Sequence, residues 1–229
     1  MIKLYFKQAL AQLRQQPIIS LVSILGTALA IFLIMLVVMI QQVKVAPFSP
    51  ESNRDRFLHV RFMSITNKEW GGGSSNGPMS VQTAKACFKS LTTPEAVTIY
   101  CVAAITTPAS MPGTPAISID MQQTDDTYWQ VFDFAFVDGK PYDQAAFESG
   151  RPVAVVTESV ARNLFGTTKA AGREFLLNHA PYTVAGVVKD VSVTAKDAYA
   201  QVWGMYSADE LKITGVHSYL GGMQIAVLA

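Results

Sequence analysis

An uncharged apolar run of 23 residues, from Ile18 to Ile40, limits what this chain can fold into. As an α-helix rising about 1.5 Å per residue, the run extends about 34 Å, enough to cross a hydrocarbon core of about 30 Å. Fifteen of the 23 residues are Leu, Ile, Val or Phe, and each favours insertion by about 0.3 to 0.6 kcal/mol. The run therefore predicts one transmembrane helix, which we place at residues 17–43.

A cleaved signal peptide is the competing interpretation of this run. The letters "TALA" end at Ala30 with the small-x-small pattern that signal peptidase favours. Ten further apolar residues follow, however, and the whole run exceeds the 7–15 residues of a typical signal core. An uncleaved membrane anchor is the interpretation that the length favours.

The charges around the run predict its orientation. Residues 1–44 carry Lys3, Lys7, Arg14 and Lys44 and no acidic residue. Three of these four cations precede the run, and basic flanks stay on the cytoplasmic side of a membrane. The N-terminus is therefore expected in the cytoplasm, with Lys3, Lys7 and Arg14 as the topology-determining residues at the membrane interface.

Residues 1–16 are predicted to form an amphipathic helix lying flat on the cytoplasmic face of the bilayer. Four apolar residues recur there at helical spacing, beside the stripe of basic side chains. A solvated basic leader that only sets topology is the alternative. The remaining chain has 14 basic and all 17 acidic residues, without the clustered basic face that nucleic-acid binding requires.

The body, residues 44–229, shows a mixed pattern in which short strands outnumber short helices. Two segments rich in Gly, Pro and small polar residues, 67–80 and 108–115, are predicted to be loops. Because strands and helices do not alternate regularly, the pattern predicts an α+β domain. The predicted strands are 56–65, 96–105, 116–123, 132–143, 153–156, 175–177, 182–190, 198–207 and 220–229, and the predicted helices 81–91, 125–132 and 158–165.

The triplet Thr157–Ser159 raises the question of catalysis, because a strand that leads into a helix is also how some hydrolases present a nucleophile. Thr157 is the natural N-cap of the following helix, and Gly166 is its natural left-handed C-cap. The segment lacks the Gly-x-Ser-x-Gly pattern of a nucleophile elbow. We interpret the triplet as a helix cap and predict no catalytic residue.

Neither the histidines nor the cysteines form a recognisable site. His59, His179 and His217 lie in a strand, a hairpin turn and a loop, with no local catalytic signature, and we expect no metal and no cofactor. Cys87 and Cys101 could form a disulfide outside the cytoplasm, or serve separately as small core residues. Spacing does not decide between the two.

One long segment resembles a known family. The stretch "GRPVAVVTESVARNLFG", followed by "AAGREFLLNHAPYTVAGVVKDVS", is similar to the periplasmic core domain of MacB-type ABC transporter permeases, a family that includes the FtsX-like and lipoprotein-releasing permeases. The similarity is strongest over residues 125–206 and weak over 45–120. The positions that match are Ala161, Leu164, Phe165, Gly166, Gly172, Gly186, Val187 and Asp190.

The resemblance implies a porter-like βαβ part at 55–144 and 196–229, with a β-rich sabre-like part inserted at 145–195. It also implies a non-enzymatic permease of the bacterial inner membrane, with its body in the periplasm. Such permeases dimerise as homodimers or heterodimers and bind a cytoplasmic ABC ATPase, whose closure they transmit across the membrane as movement of the outer domain. Their partners are therefore the lipid bilayer and an ATPase.

Two family features are not found in the sequence, namely the ATPase and three later membrane spans. The resemblance therefore implies that the chain is a fragment of a longer permease or a shortened relative. The alternative function is a single-span anchored module that binds a periplasmic partner without any ATPase.

Replacing Lys3, Lys7 and Arg14 with Glu tests the predicted orientation. The change removes the positive flank that holds the N-terminus in the cytoplasm, so insertion should become inverted or mixed. Protease added to intact spheroplasts would then digest the body in only part of the molecules. Complete digestion of the body, as in the unmodified protein, would contradict the orientation argument.

Overall fold

The computed structural model describes residues 15–66, 72–206 and 219–229, together with positions 5 and 11. The predicted interfacial helix lies almost entirely outside these residues, as do Lys3, Lys7, Arg14 and His217. The chain divides into two compact units, Met1–Ala46 and Pro47–Ala229.

The first unit contains helix α1, Pro17–Val45. Proline stands in its first turn, where a missing N–H removes no helical hydrogen bond. Within it, Pro17–Val43 has the length and apolar composition of a membrane-crossing helix, and in the described chain it alone has both. Its large apolar side chains are exposed along the whole helix rather than buried in protein.

The second unit is a mixed α/β body, which confirms the predicted fold class of a β-rich domain with short helices after one apolar helix. Its helices are α2 (Val81–Phe88), α3 (Tyr128–Val131), α4 (Gln144–Glu148) and α5 (Glu158–Phe165). Its strands are β1 (Phe57–Val60), β2 (Met63–Thr66), β3 (Ser74–Gly77), β4 (Ala96–Cys101), β5 (Ile105–Ser110), β6 (Ile117–Thr124), β7 (Phe136–Gly139), β8 (Val153–Thr157), β9 (Glu174–Leu177), β10 (Ala180–Val188), β11 (Val202–Met205) and β12 (Met223–Leu228).

Six strands close into a ring in the order β6–β11–β8–β10–β9–β5, because β5 pairs with both β9 and β6. The pairs β8–β10 and β6–β11 are parallel, and the other ring pairs are antiparallel. Strands β4, β12 and β1 extend the sheet from β6, and β7 adds to β10. Strands β2 and β3 form a separate hairpin-like pair.

Three hydrophobic clusters hold these elements together. The first is aromatic and includes Tyr100, Tyr128, Phe132 and Trp203, all fully buried. The second gathers Phe175, Leu177, Val156, Val184 and Val202 from strands of the ring, together with apolar residues of α5. The third packs α2 on β4 and β12 through Ala84, Ile99 and Ile225. Each fully buried large side chain stabilises the fold by about 1.5–3 kcal/mol.

Several sequence predictions of strands and loops need correction. The single strand expected at 56–65 is two strands, β1 and β2, which belong to different sheets. The expected loop at 67–80 contains β3, whose Ser74–Gly77 pair antiparallel with β2. Backbone pairing with β2 overrides the low strand preference of "SSNG", since cross-strand context outweighs intrinsic propensity in sheets.

Strand β5 runs through the Pro-rich segment that the sequence predicted as a turn. Pro108 has no N–H to donate, but its carbonyl accepts a hydrogen bond from the Asn178 N–H (2.9 Å). Helix α4 was not predicted at all. It begins at Gln144, and the side chain of Asp143 caps it by accepting a hydrogen bond from the Ala146 N–H (2.9 Å). The sequence pattern predicted a strand over 132–143 that ends at Asp143, so this cap was missed.

A pair of glycines allows β7 to cross close to β10. Gly139 and Gly186 lie opposite each other in the antiparallel register. A Cβ on Gly139 would lie 2.4 Å from the Ala185 carbonyl oxygen, and one on Gly186 would lie 2.7 Å from that of Lys140. The close approach of two backbones therefore explains the glycines of "VDGK" and "AGVV".

Helix α5 has the two caps that its sequence suggested. The Thr157 side chain accepts a hydrogen bond from the Val160 N–H at 3.4 Å. Gly166 adopts φ 71°, and its N–H donates to the Arg162 carbonyl (2.9 Å). No atom lies within 4 Å of a Cβ built on Gly166, so any cost of a side chain there comes from the backbone conformation.

Replacing Gly166 with Val should lower the free energy of unfolding by about 1–2 kcal/mol, because a β-branched residue resists positive φ. The Gly166→Asn variant is the matched control and should lose less, since Asn tolerates the left-handed conformation. Thermal unfolding of the full chain in detergent measures both. Equal melting temperatures for all three proteins would contradict the assignment.

Candidate functional site

The chain enters the body through residues 47–56, which we name the junction segment. Its Phe48 packs against the aromatic cluster. The Asp133 N–H donates to the Pro50 carbonyl (2.8 Å), and the Ser49 hydroxyl donates to the Asp133 carbonyl (2.7 Å). The segment is therefore attached to the body within three residues of the end of α1 at Val45.

Glu51 makes the strongest of these attachments. It is only 4% exposed, and its Oε1 accepts hydrogen bonds from the N–H groups of Asp197 (3.0 Å) and Ala198 (3.1 Å). Its Oε2 lies 2.6 Å from Arg54 Nε. A carboxylate removed from water is stable only when donors and an opposite charge surround it. Glu51 has both, and it joins the junction segment to a loop 146 positions later.

Two arginines extend the attachment on either side. Arg54 Nη2 donates to the Thr194 carbonyl (2.9 Å), and its guanidinium lies 4.5 Å from the centre of the Phe48 ring. Arg56 Nε donates to the Ala229 carbonyl (2.7 Å), and Arg56 Nη2 lies 2.7 Å from Glu95. The Arg56–Glu95 pair is exposed, so solvent screening reduces its contribution.

Strand β1 continues the network through His59. Its Nδ1 lies 3.2 Å from the Tyr100 hydroxyl, and its Nε2 lies 3.6 Å from Asp197 Oδ2. Arg61 Nη2 contacts both oxygens of the same carboxylate, at 2.8 and 3.0 Å. We name this group the junction cluster, and it consists of Glu51, Arg54, His59, Arg61, Tyr100 and Asp197.

Burial dominates the ionisation of two cluster members. It lowers the pKa of His59 below its ordinary value; the Asp197 carboxylate opposes this effect, and Arg61 adds to it. Burial, followed by the charge of Asp197, raises the pKa of Tyr100 well above its ordinary value. At neutral pH the histidine is therefore neutral and the tyrosine keeps its proton.

The charges of the junction cluster are matched within it. Two carboxylates, Glu51 and Asp197, face two guanidinium groups, Arg54 and Arg61. The hydroxyl that contacts His59 is the phenol of Tyr100, whose raised pKa makes it a poor nucleophile. The arrangement is suited to holding distant parts of the chain together rather than to reacting with a substrate.

A second buried ion pair fixes α2 to β4. Lys89 Nζ lies 2.8 Å from Asp125 Oδ2, and that carboxylate also accepts from the Thr98 hydroxyl (2.6 Å) and the Ile99 N–H (3.0 Å). Burial raises the pKa of Asp125, and Lys89 opposes this shift. The pair borders an open cavity of about 420 Å³, whose rim includes Lys85, Phe147 and Glu148.

Those residues singled out from the sequence that lie within the described ranges do not meet at one place. The Ser159 hydroxyl donates to the Asp190 carboxylate, which also accepts the Ser159 N–H (3.0 Å). Asp190 therefore adds a second acceptor to the first turn of α5, beside Thr157. His179 lies in the turn between β9 and β10, with φ 67°.

The two cysteines are free thiols. The disulfide that the sequence left open is therefore not formed between Cys87 and Cys101. The interpretation of Cys87 as a core residue is also wrong, because it lies on the exposed face of α2. Cys101 ends β4 and packs partly against the third cluster.

Sequence reasoning missed most of the junction cluster. The segment "SPESNRDR" looks like a solvated polar loop, and Asp197 lies in an equally polar "AKDAY" stretch. Neither has a local motif, because their roles depend on contacts across more than 130 residues. The one available signal was His59 on the alternating pattern of a strand, which indicated a half-buried position.

Comparisons with known proteins agree on one family. Residues 20–228 match the family described as the MacB-like periplasmic core domain. No curated protein matches the chain. The resemblance predicted from the sequence is thereby confirmed, over nearly the whole chain.

Three solved structures share the fold. The periplasmic region of MacB from Actinobacillus actinomycetemcomitans is 20% identical, with a TM-score of 0.51, over 72% of this chain and 65% of its own length. The extracellular domain of the noncanonic ABC-type transporter YknZ from Gram-positive bacteria is 17% identical, with a TM-score of 0.51, over 74% of this chain and 82% of that domain. A domain of a putative permease from Porphyromonas gingivalis is 16% identical, with a TM-score of 0.56, over 76% of this chain and 73% of that domain. The chain thus covers less than two thirds of the MacB region.

Replacing Glu51 with Ala should lower the free energy of unfolding by about 3–5 kcal/mol, because it removes the carboxylate that pairs with Arg54 Nε and accepts the N–H groups of Asp197 and Ala198. Glu95→Ala is the matched control, since it removes one acid from an exposed arginine pair and should cost about 1 kcal/mol or less. Urea unfolding of the full chain in detergent measures both. Equal losses would show that Glu51 is not a special attachment point.

Proposed function

Since the chain belongs to the family of MacB-like periplasmic core domains, we propose that it is a membrane-anchored component of an ABC transporter permease whose outer domain moves in response to a partner ATPase. Members of this family are permease components and not enzymes themselves. The movement would serve export or another function of the cell envelope.

The observation that carries the proposal is the short connection between α1 and the body. Helix α1 ends at Val45, and the Ala46 N–H still donates to the Gln42 carbonyl (2.8 Å). Attachment of the junction segment begins at Phe48. Val45 and Phe48 are three Cα–Cα steps apart and can be separated by at most about 11 Å when extended. A displacement of the end of α1 that stretches this connection fully must therefore pull on the body.

Closure of the strand ring supports movement of the body as one piece. The resemblance assigns residues 55–144 and 196–229 to a porter-like part and residues 145–195 to a sabre-like part. Of the strands in the second part, β8 pairs with β11, β9 with β5 and β10 with β7, all three partners belonging to the first part. We propose that the two parts keep their mutual arrangement while the body as a whole is displaced.

The proposed localisation is the bacterial inner membrane, with the body in the periplasm. The exposed apolar surface of α1 supports membrane insertion. The basic residues Lys3, Lys7 and Arg14 support a cytoplasmic N-terminus. The resemblance described above implies permeases that dimerise and bind an ABC ATPase, so the proposed partners are the bilayer, a second permease copy or relative, and a cytoplasmic ATPase.

The first test is purification of the native protein from gently solubilised membranes. We expect an ABC ATPase to accompany it in stoichiometric amount. An anchored binding module, the competing function, would instead bring a periplasmic protein and no ATPase. That result would refute the permease proposal.

The second test measures movement in the complex with ATPase. The exposed Cys87 accepts a fluorescent donor in a Cys101→Ala background, and acceptor dyes are placed on the lipid headgroups of a nanodisc. ATP should change the energy transfer. Eight Gly/Ser residues inserted between Ala46 and Pro47 should reduce that change by at least about half, since a flexible linker takes up the displacement.

The same eight residues inserted after Pro112, in the exposed turn between β5 and β6, form the matched control. That insertion lengthens the chain without loosening the connection to α1, so the ATP-dependent change should persist. An equal loss with both insertions would contradict transmission through the junction segment.

A further inference from the structure

Three sulfur-containing side chains meet where β12 begins. We propose that Cys101, Met223 and Met79 form a binding site for a soft monovalent metal ion of the class of Cu(I). The inference rests on the body alone and does not depend on the permease proposal. The sequence prediction of no metal considered the spacing of cysteines and histidines, and the thioether sulfur of methionine adds a further kind of ligand.

Two backbone pairings place the three residues side by side. Met223 lies opposite Cys101 in the antiparallel register of β12 and β4. On its other side it forms a bridge with Met79, whose N–H donates to the Met223 carbonyl (3.0 Å) and whose carbonyl accepts the Met223 N–H (2.9 Å). Because both backbone groups of Met223 bond to Met79, its pair with Cys101 is of the non-hydrogen-bonded kind. The Cα atoms of such a pair lie about 4.5 Å apart, and their side chains are in close contact.

The three side chains lie on the same face of the sheet. Residues opposite each other in an antiparallel pair project to the same face, and successive residues of a strand alternate between faces. Val97 and Ile99, at alternate positions before Cys101, belong to the third hydrophobic cluster, and Cys101 packs against it. Met79 and Met223 belong to that cluster too, and only 2% and 3% of their surface is exposed. The sulfur-bearing side chains therefore form one row beneath α2.

A fourth thioether lies beside this row. Met63 of β2 packs against the same cluster, and its partner in the β2–β3 register is Gly77, two positions before Met79. Diagonal neighbours of this kind are within reach of long side chains. A methionine side chain has three rotatable bonds, so it can turn its sulfur toward a shared ion at small cost.

The donor set selects the metal. Thiolate and thioether sulfur are soft ligands, and they favour Cu(I) over ions that prefer oxygen, such as Mg²⁺ and Ca²⁺. Zn²⁺ takes its ligands from Cys, His and carboxylates. In the described part of the chain, no group of three or more His, Cys, Asp or Glu side chains could hold a metal ion. A divalent ion therefore has no comparable ligand set among those residues.

Charge balance favours a monovalent ion at this buried position. On binding, the Cys101 thiol releases its proton to solvent, and its thiolate sulfur bonds to the ion. The negative thiolate and the singly positive ion sum to zero, whereas a divalent ion would leave an uncompensated charge in the apolar cluster at high cost. Copper stays Cu(I) throughout, so no electron is transferred. Cys101 is partly exposed, which gives the ion access from the surface.

Competition with a chromophoric Cu(I) chelator tests the site, with the full chain in detergent, without oxygen and with ascorbate present. We expect the unmodified protein to bind one Cu(I) ion. Cys101→Ser and Met223→Leu should each weaken binding by at least about tenfold, since even groups that only support a metal ligand contribute that much. Leu conserves the volume of Met in a core. Cys87→Ser, on the exposed face of α2, and Met111→Leu, beside the second cluster, are the matched controls and should bind as the unmodified protein.

Three outcomes of the competition would overturn the proposal: no Cu(I) bound by the unmodified protein, equal losses in Cys101→Ser and Cys87→Ser, or unchanged binding in Met223→Leu. Displacement of Cu(I) by a large excess of Zn(II) would also overturn it. If a variant does not fold, X-ray absorption at the copper edge of the unmodified protein decides. Sulfur neighbours alone would support the site, and a nitrogen or oxygen ligand would refute it. None of these measurements requires an ATPase, so their outcome is independent of the permease proposal.

Discussion

The buried carboxylate of Glu51 is the interaction on which the arrangement of the chain's first body residues depends. A charge taken out of water is costly unless nearby donors replace its hydration, and here two backbone N–H groups and Arg54 do so. The geometry of these donors admits one position of the junction segment. That segment follows α1 almost directly in the sequence.

The body behind this attachment is built to resist deformation. Six strands close into a ring in which each pairs with two others, and the aromatic cluster fills the space where β4 and β11 meet α3. Close packing of aromatic rings transmits displacement because interiors have few voids to absorb it. The junction segment contacts this closely packed interior through Phe48.

The accuracy of the sequence predictions depended on how local each signal was. The apolar helix, the caps at Thr157 and Gly166, and the hairpin turn near Asn178 were all readable, since each depends on residues a few positions apart. Strand β3 and the Pro108 part of β5 were missed. Their strand conformation comes from partners elsewhere in the chain, Met63–Thr66 for β3 and both β6 and β9 for β5.

The amino-acid sequence by itself determined the long apolar helix, the family and the order of most secondary-structure elements. These properties follow from hydropathy, short-range capping and motif spacing, which act within a few residues. Only the tertiary structure decided that β5 closes the ring, that Cys87 and Cys101 stay apart, and that Glu51, His59 and Asp197 meet. The contacts between β5 and β9 join positions more than 60 apart, and those between Glu51 and Asp197 join positions 146 apart. Their free energy exists only once the chain is folded.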